Sequence, residues 1–177
     1  MVIVTPTEFK TAFEKSYIDK EQDIVSKWKG PLTPFTAVMR SLLDSIADNL
    51  GLHINNSDYY TLDAICYEDK DTEHFSEEAV YAKYIAIAIE HENYVIGSEA
   101  EINKLQLFNV PLKVLITYTG EETFNYYLDR YTKIIKDADI FDDISTTRRQ
   151  LVVFGTGDGN TANWHFFCYE DGNFVPL

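Results

Sequence analysis

At 177 residues, 45% of them hydrophobic and with 12 Tyr and 11 Phe, the chain has the length and apolar content of one folded domain with a substantial core, which excludes a disordered polypeptide. Its 15 Lys and Arg against 29 Asp and Glu give a formal net charge of −14, which favours solubility and opposes nonspecific adsorption to nucleic acid, for which a basic patch is needed. The segment Met1–Pro6 lacks the basic and apolar regions of a signal peptide, and no apolar run reaches the roughly 18–20 residues of a membrane span, so a soluble, cytoplasmic protein without membrane association is expected.

Residues 7–29 read as a helix, with Phe9, Phe13, Tyr17, Ile24 and Trp28 recurring close to helical spacing and Gly30-Pro31 stopping it. A second helix spans Pro34–Asn49, with Val38, Leu42, Leu43, Ile46 and Leu50 as its apolar stripe and Gly51 as terminator. The period then changes. Tyr59–Tyr67 and Tyr81–Glu92, the latter with the alternation Ile85-Ala86-Ile87-Ala88-Ile89, read as strands. Between them Glu68–Glu78 carries six acidic residues and one Lys and reads as an exposed loop or short helix. Ser98 with Glu101 forms a capping-box pattern that opens a helix to about Phe108, and Pro111 breaks it. Leu112–Tyr118 has the length and apolarity of a buried strand. Thr119 with Glu122 is a second capping-box pattern ahead of the helical stripe Phe124, Tyr127, Leu128, Tyr131, Ile134, Ile135 and Ala138. Leu151–Phe154 and Trp164–Tyr169 read as closing strands around a Gly-rich turn. With no repeat, low-complexity tract or linker, residues 1–177 are expected to form a single α/β (α+β) domain with a mixed central sheet flanked by helices. Within it lie N-terminal helices (7–50), a core (58–118) and a C-terminal helix and hairpin (120–170).

Several chemical motifs can be set aside. Cys66 and Cys168 lack metal or redox spacing and are expected as buried thiols, with a disulfide between them left open. Gly155-Thr156-Gly157-Asp158-Gly159-Asn160 has the composition of a phosphate loop, but the strand-like Trp164–Phe167 follows where a helix is required, so a hairpin turn is expected. Asp69, Asp71 and Glu73 alternate as in a calcium loop, but His74 stands where that loop needs Gly. The histidines His53, His74, His91 and His165 have no zinc spacing; His91, beside an acidic pair, is the one candidate for proton transfer, set against an ordinary structural role. Arg148-Arg149, with Arg130, Lys133 and Lys136, either contacts phosphates or offsets nearby acids.

The pattern that carries chemistry is acidic. Strand side chains alternate, so Glu90 and Glu92 share a face and His91 takes the other. Two like charges on one face repel unless solvent or a cation relieves them. If the two strands pair, Asp63 stands opposite, and the three carboxylates supply hard oxygen ligands for Mg²⁺ or Mn²⁺. Solvated acids where a strand leaves the core are the alternative.

An acidic residue in one strand, Glu-x-Glu at the end of the next, then a helix and an apolar strand resembles the PD-(D/E)xK nuclease-like superfamily over roughly Asp58–Tyr118, with Pro34–Asn49 as the preceding core helix. The resemblance implies a restriction endonuclease-like core and a catalytic set of Asp63, Glu90, Glu92 and Lys104. Asp63 matches the first Asp, Glu90 the second acidic residue, and Glu92 stands in the place of the usual Lys. The main-chain carbonyl of His91 is implied as a further ligand, and Lys104 as a lysine migrated to the next helix. Leu62 precedes Asp63 where the motif has Pro. For Lys104, a surface pair with Glu101 one turn earlier is the competing expectation. The functional expectation is a divalent-metal-dependent nuclease-like protein acting on phosphodiester bonds, with nucleic acid as partner. The alternative is a noncatalytic acidic interaction or immunity-type protein with a protein partner, which the charge of −14 favours. A small-molecule-binding domain using the Tyr and Trp residues has no motif behind it.

Overall fold

A computed structural model describes residues 2–28, 30–76, 79–139 and 149–177, and gives the backbone alone for residues 71–76 and 79–81. The first helix, α1 (Pro6–Lys27), starts where Thr5 and Glu8 form a reciprocal capping box: Thr5 Oγ1 accepts from the Glu8 N–H at 3.2 Å and Glu8 Oε2 from the Thr5 N–H at 2.8 Å. Helix α2 (Leu32–Leu50) ends as its sequence predicts, with Gly51 left-handed at φ +68°. These two helices pack on each other and on one face of the sheet.

The sheet has seven strands in the order β1 (His53–Asn55), β2 (Ala64–Tyr67), β5 (Ile87–Glu92), β6 (Leu112–Tyr118), β7 (Arg149–Gly157), β8 (Ala162–Glu170) and β9 (Asn173–Pro176). It is mixed: β1, β2 and β5 pair antiparallel, β5, β6 and β7 parallel, and β7, β8 and β9 antiparallel. Helix α3 (Ser98–Gln106) connects β5 to β6, and α4 (Phe124–Ala138) lies between β6 and β7 in sequence. A separate two-stranded ribbon, β3 (Thr72–Ser76) with β4 (Ala79–Ala82), is inserted between β2 and β5. The expected α/β architecture with helices flanking a mixed sheet is what the chain adopts.

Alternation along the central strands divides the core in two. Ile87, Ile89, Val114, Ile116, Leu151 and Val153 face α1 and α2, whereas Ala88, Leu115, Val152 and Phe154 face α3 and α4. Both faces are covered, which is why Leu112–Tyr118 reads as a near-continuous apolar run. Its exception, Lys113, is 1% exposed, and its ammonium reaches Gln106 Oε1 at 3.3 Å beside a Gln106–Gln150 amide pair.

Several expectations are corrected. Strand β2 begins at Ala64 rather than Tyr59, because Tyr59–Leu62 closes a tight turn. The Tyr81–Glu92 strand divides into the end of β4 and β5, and the acidic stretch forms a short 3-10 turn (Asp69–Asp71) and β3. Neither later capping box forms. Gly97 caps α3 while the buried Ser98 hydroxyl donates to Val95 O at 2.5 Å and meets the Tyr131 hydroxyl; Thr119 Oγ1 bonds Thr123 Oγ1 at 2.6 Å. The Gly-rich segment is the predicted hairpin turn: Asp158 Oδ1 accepts from the N–H groups of Asn160 and Thr161 at 2.8 and 3.0 Å. Cys66 and Cys168 are buried free thiols, not a disulfide. Arg148 and the side chains of Asp71, Glu73 and His74 lie outside the described residues. Among the described residues no helix is long and apolar enough to cross a membrane.

Candidate functional site

The antiparallel register Ala64↔Ile89 brings Asp63, one residue ahead of β2, alongside Glu90 and His91 at the end of β5. Asp63 Oδ2 accepts from the His91 N–H at 2.8 Å, which fixes the carboxylate at the sheet's end. The turn that delivers it is strained: Asp58, Tyr60 and Thr61 all have left-handed backbones, Thr61 at φ +72°, a conformation costly for a β-branched residue. Lys104 holds this turn, donating to the Thr61 carbonyl at 2.9 Å.

Glu90 points to the α3 face and is 1% exposed. Its Oε1 lies 2.9 Å from Lys104 Nζ, an ion pair buried on the carboxylate side. Lys104 also meets Glu101 Oε2 at 2.5 Å, so the surface pair and the contact with the motif carboxylate exist together. Burial pushes the Glu90 carboxyl up to about 9 although the Lys104 ammonium pulls it down; Glu101 and Asp63 add to the rise. For Lys104, burial alone would lower the pKa, but Glu101 and Glu90 outweigh it and raise it. Glu92 does not join this group: its Oε1 accepts from the Tyr94 N–H at 2.9 Å. Among the described residues no three His, Cys, Asp or Glu side chains are arranged to hold a metal ion, so the expected triple-carboxylate ligand set is not assembled.

On the α2 side, Asp63 lines a polar cavity of about 150 Å³ with Thr36, Arg40, Leu43, His91 and Asn93. His91 Nε2 lies 2.7 Å from the Tyr118 hydroxyl, and burial, with Arg40 nearby, lowers its pKa to about 4. The ring is therefore neutral near pH 7. Next to this cavity lies an aromatic one of about 270 Å³, whose walls include Trp28, Leu32, Phe35, Asn93, Tyr94 and Tyr118. Trp28 meets Phe35, Tyr118 and Trp164 edge-on, with ring centroids 5.3–5.9 Å apart. Two strand glycines make room for these rings. A Cβ on Gly155 would lie 2.6 Å from Tyr118 and 2.9 Å from Trp164, and one on Gly157 would lie 2.7 Å from Trp28 and 2.5 Å from the Thr161 carbonyl.

Sequence reasoning missed Thr36, Arg40 and Asn93, because helical and strand spacing do not show which polar residues of α2 face the end of β5. The sequence carried no signal for Arg40, which lies off the buried stripe of α2 and is exposed.

No family model matches this chain, and no curated protein does. Among solved structures the chain is similar to the central domain of yeast acetyl-CoA carboxylase, with a TM-score of 0.41 and 8% identity over 96% of this chain. The match covers 34% of that chain, so this sequence spans about a third of its length.

Proposed function

We propose that the chain is a nuclease-like protein that hydrolyses phosphodiester bonds with Mg²⁺ or Mn²⁺ at Asp63 and Glu90. The observation that carries the reading is the gathering at one end of the β2–β5 pair of Asp63, bound to the His91 N–H, and of Glu90, the preceding residue of β5, with Lys104 2.9 Å from it. An antiparallel β1–β2–β5 meander, then α3, then parallel β6 gives the element order of the PD-(D/E)xK resemblance. Lys104 takes the place of the lysine missing after Glu90.

The donors fit a hard cation. Glu90 and the neighbouring Asp63 carboxylate would supply two oxygen ligands, with the Lys104 ammonium displaced from Glu90 Oε1, and Mg²⁺ is commonly held by one or two carboxylates together with water and substrate phosphates. When bound, the ion supplies an activated water and neutralises charge on a phosphoryl oxygen. The protein's own part is placement. The His91 N–H orients Asp63, the Lys104 ammonium stands where anionic charge develops, and α3 keeps bulk water from Glu90. Burial favours the protonated form of Glu90, so a cation held there would compete with that proton and its affinity would rise with pH.

Mn²⁺-dependent cleavage of single- and double-stranded substrates by wild type, abolished in Asp63→Asn, is the expected result; cleavage that survives this change sinks the assignment. Independently, Mn²⁺ should raise the melting temperature of wild type and not of Glu90→Ala. A noncatalytic acidic interaction or immunity-type role is the second reading, favoured by the net charge of −14 and by the ion pair that already engages Glu90. Absence of both cleavage and a metal-dependent melting shift would select it.

A further inference from the structure

We infer that the two adjoining cavities form a subsite for one unpaired nucleotide of a nucleic-acid strand, with the base among Trp28, Phe35, Tyr94 and Tyr118 and the phosphate at Arg40 beside Asp63. The inference rests on the phosphodiester reading for the placing of the phosphate, and it adds the form of substrate.

The aromatic cavity is lined by the rings of Trp28, Phe35, Tyr94 and Tyr118, and aromatic side chains are the surface on which bases stack without strong sequence preference. Its mouth is open to a ligand: Tyr94 is 61% and Leu32 45% exposed. Asn93 lines both cavities, donating through Nδ2 to Thr36 Oγ1 at 3.3 Å, while its Oδ1 is buried with no donor among the described residues. A buried acceptor without a donor is costly, and the N–H edge of a base would satisfy it. Arg40, on the other wall, makes no ion pair among the described residues, although carboxylates outnumber cations in this chain. Its planar guanidinium suits a phosphate better than an ammonium does. A flat ring with hydrogen-bonding edges, joined at short range to an anion that lies next to Asp63, describes a nucleotide. A paired base cannot enter such a pocket without leaving its stack, so the strand is unpaired at this position.

The test measures binding in EDTA, where no metal-dependent cleavage occurs. A 5′-labelled short oligothymidylate is compared by fluorescence anisotropy with an abasic oligomer of the same length and charge, and with the duplex. The oligothymidylate should bind at least tenfold more tightly than either and quench tryptophan emission. Tyr94→Ala should remove the preference for the base-bearing strand and leave abasic affinity unchanged. Arg40→Gln should weaken both single strands and reduce the salt dependence by about one phosphate contact. Both residues are exposed, and a melting curve of each variant is the control for folding. Equal affinity for base-bearing and abasic strands, an unchanged preference in Tyr94→Ala, duplex binding as tight as single-strand binding, or no binding at all would each overturn the inference. The two readings fail separately: the expected preference without Mn²⁺-dependent cleavage refutes the hydrolase and leaves the subsite, whereas cleavage without the preference does the reverse.

Discussion

Replacing Lys104 by methionine keeps the aliphatic stem and removes the ammonium from Glu90, Glu101 and the Thr61 carbonyl together. Breaking a fully buried ion pair from one side costs about 3–5 kcal/mol, because a charge is left uncompensated. Two features lower that figure here. The Lys104 side chain is 25% exposed, so water already screens part of its interaction, and Glu90 can keep a proton instead of an uncompensated charge. A loss of about 1–2 kcal/mol remains, most of it from the released Thr61 carbonyl and the shared contact with Glu101. For a chain of this length that is a fall in melting temperature of about 2–8 °C. Calorimetry of wild type, Lys104→Met, Glu90→Gln and the double variant at neutral pH measures the coupling directly, and a value of about 0.5 kcal/mol, the minor share of the loss, is expected. The pH dependence gives a second reading. Glu90 is raised in the folded chain to about 9 from an ordinary value near 4.5, so the native state binds the extra proton between these limits. Its contribution is present below about 4.5 and is lost as pH rises toward 9, and Glu90→Gln should flatten that decline. Additive single variants, or a wild-type slope that Glu90→Gln leaves unchanged, would refute the coupling of Glu90 to Lys104.

Three further outcomes are expected. Gly157→Ala places a methyl 2.5 Å from a backbone carbonyl and 2.7 Å from the Trp28 ring, so chemical denaturation should show a loss of about 1–3 kcal/mol; a neutral result would mean that the hairpin yields freely. His91 is lowered to about 4 from 6.5, so the unfolded chain binds more protons between these values and this group's contribution is lost as pH falls through that window. Imidazole NMR should show a neutral ring at pH 5, and a midpoint near 6.5 would contradict its burial. Ser98→Ala removes the partner of the Tyr131 hydroxyl and one of the two donors to the Val95 carbonyl, which keeps the residue 98 N–H, and should lower stability by about 1–2 kcal/mol in urea melts; no change would mean that Tyr131 finds another acceptor.

The parts of the fold that could be read from the sequence are those in which one local pattern decides. The stripe of α2, its Gly51 stop and the apolar run of β6 are of this kind, because burial on one or both faces dictates residue type at every position. The capping boxes misled because a buried Ser98 is better satisfied by Val95 and Tyr131 than by its own helix end. Alternation along β5 accounts for the face that Glu90 takes, whereas Asp63 beside that strand and Lys104 against Glu90 depend on pairing and packing between separate elements. Glu92 shares a strand face with Glu90 but turns its carboxylate to the Tyr94 N–H, a local bond that strand periodicity does not encode. Arg40 and Asn93 line one cavity although they stand on separate elements, and no local pattern records proximity over that separation.

The ribbon β3–β4 is spliced between the strand that follows Asp63 and the strand that carries Glu90. It forms its own sheet, and it connects back through the Ala82 N–H donating to the Tyr59 hydroxyl at 3.1 Å. The free energy of closing a loop grows only with the logarithm of its length, so this insert can be lengthened, shortened or exchanged at little expense to the register of β2 against β5. The chain thus separates what must stay fixed, the alignment of two carboxylates across a strand pair, from a peripheral element free to diverge. Descent with change in this protein would be expected to accumulate first in that ribbon.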